Sequence, residues 1–248
     1  RTCMDHLASS TRKDYTHALS RLEGFYGSMS PGQIKPHHIA KHLDEHPSPS
    51  RANYEIAVLS SVFKKLMRWG KANHNPCQGV ERNKIAPRRD YVTDERFWAV
   101  WKDAKAHLQL LMELVYTLGQ DPCDIITLKR SDVTPKGIEF KRTKTARKTG
   151  KSIIVNSDKL PDLVERCRKL NKVGSIWLLA NHNGQPYTMS AIHSAWQRLM
   201  GGREDRFRFQ DIRAKSASDH PTGDHLGHSD KRTKERFYRL KPEEIEGL

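Results

Sequence analysis

The chain has 248 residues, enough for two modest domains or one large domain. Hydrophobic residues make up 36% of it, and they fall into periodic runs, which excludes a chain that is disordered throughout. The 44 lysines and arginines exceed the 29 aspartates and glutamates and give a formal net charge of +15. Because a surface of this charge attracts phosphates, the composition favours nucleic acid as the partner, ahead of an anionic membrane or a basic surface without a ligand.

Several classes of protein are disfavoured by what the sequence lacks. No apolar run approaches the roughly 20 residues that span a bilayer, and no signal peptide is recognisable, so we expect a cytoplasmic protein without a membrane partner. The first residue, Arg1, is compatible with a missing N-terminal arm. Four cysteines lie far apart and form no C-x-x-C pair, which argues against a disulfide framework and against a metal site. They are Cys3, Cys77, Cys123 and Cys167.

The first third of the chain is predicted to be helical. Apolar residues spaced three and four apart predict a helix over 10–27, and a second helix is expected over 36–46. The strongest pattern starts at Pro49 and stops at Gly70. We therefore predict an N-terminal helical domain over 1–82.

The helical pattern of apolar residues stops at "ERNKIAPRRDYV", which has many charges, a proline and almost no periodicity. We place an interdomain linker at 83–92 and a second domain at 93–248. In the second domain Thr93 is predicted to cap a helix, and another helix follows through "LQLLMELVYTLG".

Two strand-like stretches follow, "GIEFKRT" and "KSIIVN", and they are joined by a turn at 147–150. Helices are then predicted over 160–171 and 189–200, with shorter helices after Arg206. The expected fold class is mainly α with one small β-sheet, an α+β arrangement.

An ordered series of motifs runs along nearly the whole chain. It comprises "STRKDYTHALSRL", "SRANYEIAVLSSVFKKLMRWG", "YVTDERFWAVW", "GQDPCDIITLKRSDV", "KTARKTGKSIIV", "FQDIRAKSASD", "LGHSD" and "RFYRLKP". In this order and at these distances, the series resembles the tyrosine recombinases of the phage integrase family. The resemblance implies a SAM-like helical core-binding domain followed by a catalytic-type domain.

The resemblance also implies a chemistry. Enzymes of this family attack a DNA phosphodiester with a tyrosine hydroxyl and form a 3′-phosphotyrosyl link without metal or cofactor. Two arginines hold the non-bridging oxygens, and a lysine on a β-hairpin protonates the leaving oxygen. By their motifs, Tyr238 matches the nucleophile, Arg213 the second arginine and His228 the histidine of the third motif. Lys144 is the first choice for the hairpin lysine, and Lys148 remains open as its rival.

Further residues are expected to contact DNA. Arg51, Asn53 and Tyr54 open the third helix, which faces DNA in the family. The hairpin carries a dense run of cations, which favours contact with the DNA backbone. Its DNA-binding candidates are Arg142, Arg147, Lys148 and Lys151.

Two positions depart from the family pattern. Where the family has its first catalytic arginine after "GQ", this chain has Asp121, and where it has a histidine three residues before the second arginine, this chain has Gln210. A glutamine still donates a hydrogen bond to phosphate. Two unit charges about 4 Å apart interact by roughly 4 kcal/mol at an effective dielectric constant of about 20. Exchanging Arg for Asp turns attraction of the phosphate into repulsion, so it changes the interaction energy by about twice that amount.

We therefore predict a sequence-specific DNA-binding protein that cleaves DNA inefficiently and acts as a regulator or repressor of a phage or other mobile element. Association with the bacterial nucleoid, and a homodimer or higher oligomer on DNA, are expected. One alternative is an active recombinase in which Arg130, Arg142 or another nearby side chain supplies the missing cation, or in which Asp121 is an engineered residue. Another is an accessory module without DNA.

Overall fold

The computed structural model describes residues 4, 5, 7–86, 88, 90–141, 152–171, 174–226, 238, 240 and 241. The chain divides into two compact units, Arg1–Ala86 and Pro87–Leu248, with the boundary inside the segment predicted as a linker. Each unit has its own core of buried apolar residues. Within the described ranges the chain forms nine α-helices and one three-stranded antiparallel sheet, which confirms the expected fold class.

Unit 1 consists of three helices: α1 is Ser9–Tyr26, α2 is Pro36–Glu45 and α3 is Pro49–Arg68. A 3₁₀ turn at Pro31–Gln33 joins the first two helices. The predicted helical periodicity is confirmed, because each helix buries one apolar face. The shared core of the three helices includes Ala18, Leu22, Ile39, Leu43, Ile56 and Phe63.

A buried carboxylate joins the three helices of unit 1. The side chain of Glu55 on α3 is fully buried and forms an ion pair with Arg21 on α1. Its Oε2 lies 3.0 Å from Nε2 of His42 and 3.6 Å from Nε2 of His46. Because an unpaired buried charge is costly, this cluster fixes which faces of α1 and α2 meet α3.

The beginning of the predicted linker is held on unit 1. The Asn53 side chain donates to the Asn83 carbonyl at 2.8 Å and accepts from the Asn83 amide at 3.0 Å. The Asn83 side chain in turn donates to the carbonyl of Leu43 at 2.9 Å. An amide side chain both donates and accepts, so Asn53 completes the backbone pairing of Asn83 much as a β-strand would.

Unit 2 is mostly helical. Its helices are α4 (Asp94–Asp103), α5 (Ala106–Leu118), α6 (Pro122–Ile125), α7 (Leu160–Leu170), α8 (Met189–Met200) and α9 (Asp211–Asp219). The Thr93 side chain caps α4 by accepting a hydrogen bond from the Arg96 amide, as predicted. Helix α5 is central to the core and is buried on several faces. No helix in the described part of the chain is both long and apolar enough to cross a bilayer.

The sheet of unit 2 has the strand order β1 (Val133–Thr134), β2 (Gly137–Lys141), β3 (Ser152–Val155). Strands β2 and β3 pair with Ile138 opposite Val155. Strand β1 was not predicted, because two residues are too few to show an alternating pattern. The predicted hairpin turn at 147–150 lies outside the described residues.

The cluster around Glu55 makes the stability of unit 1 sensitive to pH. Burial lowers the pKa of His42, and the hydrogen bond to Glu55 only partly opposes this effect. Because the unfolded chain takes up this proton near about pH 6.5 and the folded chain resists it, we expect the free energy of unfolding of unit 1 to fall as the pH drops below about 6.5. Hydrogen exchange of the α3 amides, corrected for the intrinsic rate, measures this loss.

The variant His42→Gln keeps a hydrogen-bonding group and removes the titration. The protection of its α3 amides from hydrogen exchange should therefore depend less on pH than in the wild type. His17→Gln, at an exposed position of α1, is the matched control and should behave like the wild type. The same pH dependence in all three proteins would contradict the role of His42.

Candidate active site

The corner after α5 depends on a glycine. Helix α5 ends at Gly119, whose φ of 62° is left-handed and whose amide donates to the Val115 carbonyl at 2.9 Å. A Cβ atom at this position would lie 2.3 Å from the Cδ2 atom of His225. Both the backbone conformation and the close approach of His225 therefore require glycine.

Hydrogen bonds tie this corner to α9. The buried Gln120 side chain donates to the Leu118 carbonyl at 3.0 Å and to the His225 carbonyl at 2.6 Å. The Nε2 atom of His225 lies 2.8 Å from the Ser216 hydroxyl on α9. The residue after Gln120 is thereby placed beside the helix that carries Arg213.

That residue is Asp121, and its carboxylate forms an ion pair with Arg213. The distance from Asp121 Oδ2 to Arg213 Nη1 is 2.5 Å. Asp121 is the N-cap residue of α6, yet its side chain makes no capping hydrogen bond, because the carboxylate points to Arg213 instead. The Arg213 side chain is only 5% exposed, whereas the Asp121 side chain is 48% exposed. The pair therefore joins a buried cation to an anion that solvent reaches.

Tyr238 lies beside the same guanidinium. The Cζ atom of Arg213 is 5.4 Å from the centre of the Tyr238 ring, within cation–π range. Ser218 on α9 holds the backbone at Tyr238. Its hydroxyl donates to the Tyr238 carbonyl at 2.8 Å and accepts from the Leu240 amide at 2.7 Å. The structure thus brings together three of the predicted site residues, Asp121, Arg213 and Tyr238.

A second buried cation lies two residues from Arg213. Lys215 is 1% exposed, and its ammonium group lies 2.8 Å from Asp219 Oδ2 and 2.5 Å from Asp94 Oδ1. The hydroxyls of Tyr91 and Tyr116 donate to the Asp219 carboxylate at 2.5 and 2.9 Å. This network fixes α9 against α5 and against the start of α4.

The pKa values in this network follow from its hydrogen bonds. Burial alone would lower the pKa of Lys215, but the hydrogen bonds to Asp219 and Asp94 raise it. Burial alone would raise the pKa of Asp219, but the donors Lys215, Tyr91 and Tyr116 keep it below its usual value. Burial and the hydrogen bond to Asp219 raise the pKa of Tyr91 to about 12. At neutral pH the network therefore contains a charged lysine, a charged aspartate and two neutral phenols.

The remaining predicted site residues lie elsewhere or outside the described residues. Gln210 is an exposed residue at the N-cap of α9. Arg51 and Tyr54 are exposed at the start of α3 and line one cavity, whereas the side chain of Asn53 is engaged by Asn83. Those outside the described residues are His228, Lys144, Arg142, Arg147, Lys148 and Lys151.

Sequence reasoning missed His225 and the network around Lys215. The pair Lys215 and Asp219 has the spacing of four that places side chains on one helix face, which is a usable signal. Nothing in the sequence indicates that Tyr91 and Asp94 meet the same helix more than 100 residues later. The packing of His225 against Gly119 is likewise visible only in the fold.

Two further expectations concern metals and thiols. In the part of the chain that the structure describes, no group of three His, Cys, Asp or Glu side chains is arranged to hold a metal ion. In the same part of the chain, Cys77 and Cys167 are buried, whereas Cys123 is exposed.

Comparison with known proteins places the fold. No protein-family model and no curated protein matches the sequence. Among solved structures, a lambda integrase (75–356) dimer bound to a COC′ core site matches with a TM-score of 0.80 at 17% identity, over 100% of this chain and 94% of that one. A lambda integrase tetramer bound to a Holliday junction matches with a TM-score of 0.80 at 18% identity, over 99% of this chain and 77% of that one.

A more distant match is the Tn1549 transposon integrase (aa 82–397) in complex with circular intermediate DNA. Its TM-score is 0.70 at 13% identity, over 94% of this chain and 91% of that one. The chain therefore has the tyrosine recombinase fold, as its motifs predict.

The Gly119 corner provides a test of how the site is positioned. We expect Gly119→Ala to lower the free energy of unfolding of unit 2 by about 2–4 kcal/mol, because it adds a strained left-handed residue and a clash with His225. Urea unfolding followed by tryptophan fluorescence measures the change, since four of the five tryptophans lie in unit 2.

Gly184→Ala is the matched control. Gly184 has a φ of 74°, but a Cβ atom there would meet no atom within 4 Å, so only the conformational cost of about 1 kcal/mol is expected. Equal losses in the two variants would show that the approach of His225 contributes nothing.

Proposed function

We propose that the chain binds double-stranded DNA through its tyrosine recombinase fold and has lost most or all strand cleavage. The observation that carries this proposal is the 2.5 Å ion pair between Asp121 and Arg213. Arg213 matches the arginine that holds the scissile phosphate. In this chain that arginine is instead paired with the carboxylate of Asp121. A DNA-binding regulator or repressor of a phage or other mobile element is the role that fits binding without cutting.

Asp121 opposes cleavage in two ways. The carboxylate of Asp121 partly neutralises Arg213, and it repels the phosphate that must lie beside the same guanidinium. Stabilising charge that develops in the transition state is usually the largest single contribution to this kind of catalysis. Each 1.4 kcal/mol lost is about a tenfold loss in rate, so the exchange of Arg for Asp costs several orders of magnitude.

DNA binding depends far less on this one position. Its affinity comes from many phosphate contacts, and the formal charge of +15 is ample for them. The matched lambda integrase structures are DNA complexes of a dimer and of a tetramer. By analogy we propose that this chain also binds DNA as a dimer or higher oligomer, in the bacterial cytoplasm and associated with the nucleoid.

One observation favours an active recombinase as the second candidate. The ring of Tyr238 stays within 5.4 Å of the Arg213 guanidinium, so a nucleophile and one phosphate-binding cation remain adjacent. In that case another cation must replace the arginine that Asp121 displaces.

Covalent trapping separates the two candidates. A DNA site is first selected from random duplexes by binding, and a nicked version then serves as a suicide substrate that retains any 3′-phosphotyrosyl adduct. We expect no adduct that survives denaturing electrophoresis, so the wild type should match Tyr238→Phe. An adduct formed by the wild type and absent from Tyr238→Phe would establish cleavage and overturn the proposal.

Restoring the family's residues tests the electrostatic cause. We expect the double variant Asp121→Arg, Gln210→His to form the adduct on the same substrate, because it returns a cation and a histidine to the phosphate. Asp121→Asn removes the negative charge without supplying a cation, and it should gain far less adduct. If the double variant also forms none, Asp121 is not the main cause of the loss.

A further inference from the structure

A groove lined by arginines adjoins the α9 site. It encloses a cavity of about 490 Å³, and its polar lining comes from the segment before α9, from α8 and from the start of unit 2. We call it the arginine groove and define it by Arg88, His193, Gln197, Arg206, Arg208 and Gln210. Neither the motifs nor the family resemblance assigns Arg206 or Arg208 a role.

Exposed and buried side chains alternate along the segment that leads into α9. Phe207 and Phe209 are 4% and 1% exposed and belong to the core, whereas Arg206, Arg208 and Gln210 are exposed. Because Phe207 is buried between two exposed arginines, Arg206 and Arg208 project to the same, solvent-facing side. Gln210 follows them in the turn that begins α9, where its φ and ψ are −64° and −23°. The two separate arginine side chains can each bind a different phosphate.

The backbone beneath these arginines is fixed. The indole of Trp196 donates to the Phe207 carbonyl at 3.1 Å, and the guanidinium of Arg96 donates to the Arg206 carbonyl at 2.9 Å. The rings of Phe207 and Phe209 pack edge-to-face on Trp196, with centroids 5.3 and 4.8 Å away. The two cations thus project from a rigid edge, which reduces the entropy lost when they bind a ligand.

Of the three arginines in the groove, Arg88 is paired with carboxylates, whereas Arg206 and Arg208 form no ion pair with a described residue. Arg88 forms ion pairs with Asp90 at 2.7 Å and Asp211 at 3.2 Å, and Asp211 also accepts from the Arg208 amide. Among the described residues, no carboxylate lies within 4.0 Å of the guanidinium groups of Arg206 and Arg208. The exposed side chains of Arg206 and Arg208 can therefore bind an anionic ligand.

We propose that the arginine groove binds the sugar-phosphate backbone of DNA, with Arg206 and Arg208 each contacting one phosphate. This inference rests on the proposed DNA binding and adds a determinant of it. The planar guanidinium fork matches two phosphate oxygens, and the amides of Gln197 and Gln210 supply further donors. Because Gln210 is three residues from Arg213, the groove holds the backbone next to the α9 site without using the cation that Asp121 occupies.

The test is the salt dependence of binding to a fluorescein-labelled duplex of random sequence and about 30 base pairs, followed by anisotropy between about 50 and 200 mM salt. In Arg206→Gln and in Arg208→Gln, the slope of log affinity against log salt should become shallower by about 0.9, and affinity at low salt should fall several-fold. Arg208→Lys keeps the charge, so it should retain the slope while losing affinity. Thermal unfolding and near-UV circular dichroism of each variant confirm that the fold is intact.

Arg198→Gln is the matched control, since Arg198 is an exposed arginine of α8 that does not line the groove. Its slope should stay close to that of the wild type. Unchanged slopes in the groove variants, or an equal change in the control, would overturn the groove proposal while leaving DNA binding in place.

Tighter DNA binding by the groove variants would also overturn the groove proposal. That result would mean that the groove holds an acidic protein segment and not DNA. Absence of any binding by the wild type would refute the proposed function itself. The two failures are therefore distinguishable.

Discussion

The burial of two cations on one short helix constrains the rest of unit 2. Helix α9 buries six consecutive residues, and two of them are Arg213 and Lys215. A buried charge costs several kcal/mol unless it is paired, so each cation needs carboxylates that other parts of the chain must deliver. Lys215 is paired with Asp219 on its own helix and with Asp94 on α4, and Arg213 is paired with Asp121 at the corner after α5. The start of α4 and the end of α5 must therefore both lie against α9.

The pair of Asp121 and Arg213 thereby links stability with function. An arginine that is 5% exposed needs an anion, and a DNA phosphate would supply one only while DNA is bound. With Asp121 present, the guanidinium has a carboxylate partner whether or not DNA is bound, so this carboxylate stabilises the DNA-free fold while it opposes phosphate binding. Sites built for catalysis commonly accept such a loss of stability in exchange for activity. In this chain the balance is shifted toward stability, which is the balance expected under the proposed loss of strand cleavage.

The features that sequence could predict are local ones. The Thr93 cap of α4 and the amphipathic faces of α1 to α3 depend on neighbours within a few residues, and the structure confirms them. Helix α9 has no apolar stripe because its buried residues surround it, so its burial could not be found from periodicity. The contact between Asp94 and Lys215 spans 121 residues and leaves no trace in spacing. For Asp121, the resemblance identified the position, and the fold shows that its carboxylate pairs with Arg213.

Cutting and holding DNA differ in how far their electrostatics extend. Cleavage needs cations within hydrogen-bonding distance of one phosphate, where a single reversal of charge is decisive. Binding adds up contacts over many phosphates, each with a similar contribution from counterion release, so one unfavourable position changes the total little. The exposed residues Arg206 and Arg208 lie seven and five residues before Arg213 and extend the cationic surface beyond the pair of Asp121 and Arg213. Under the proposed function, such a chain keeps its affinity for a duplex after the chemistry at one phosphate is lost, because the two properties depend on different residues.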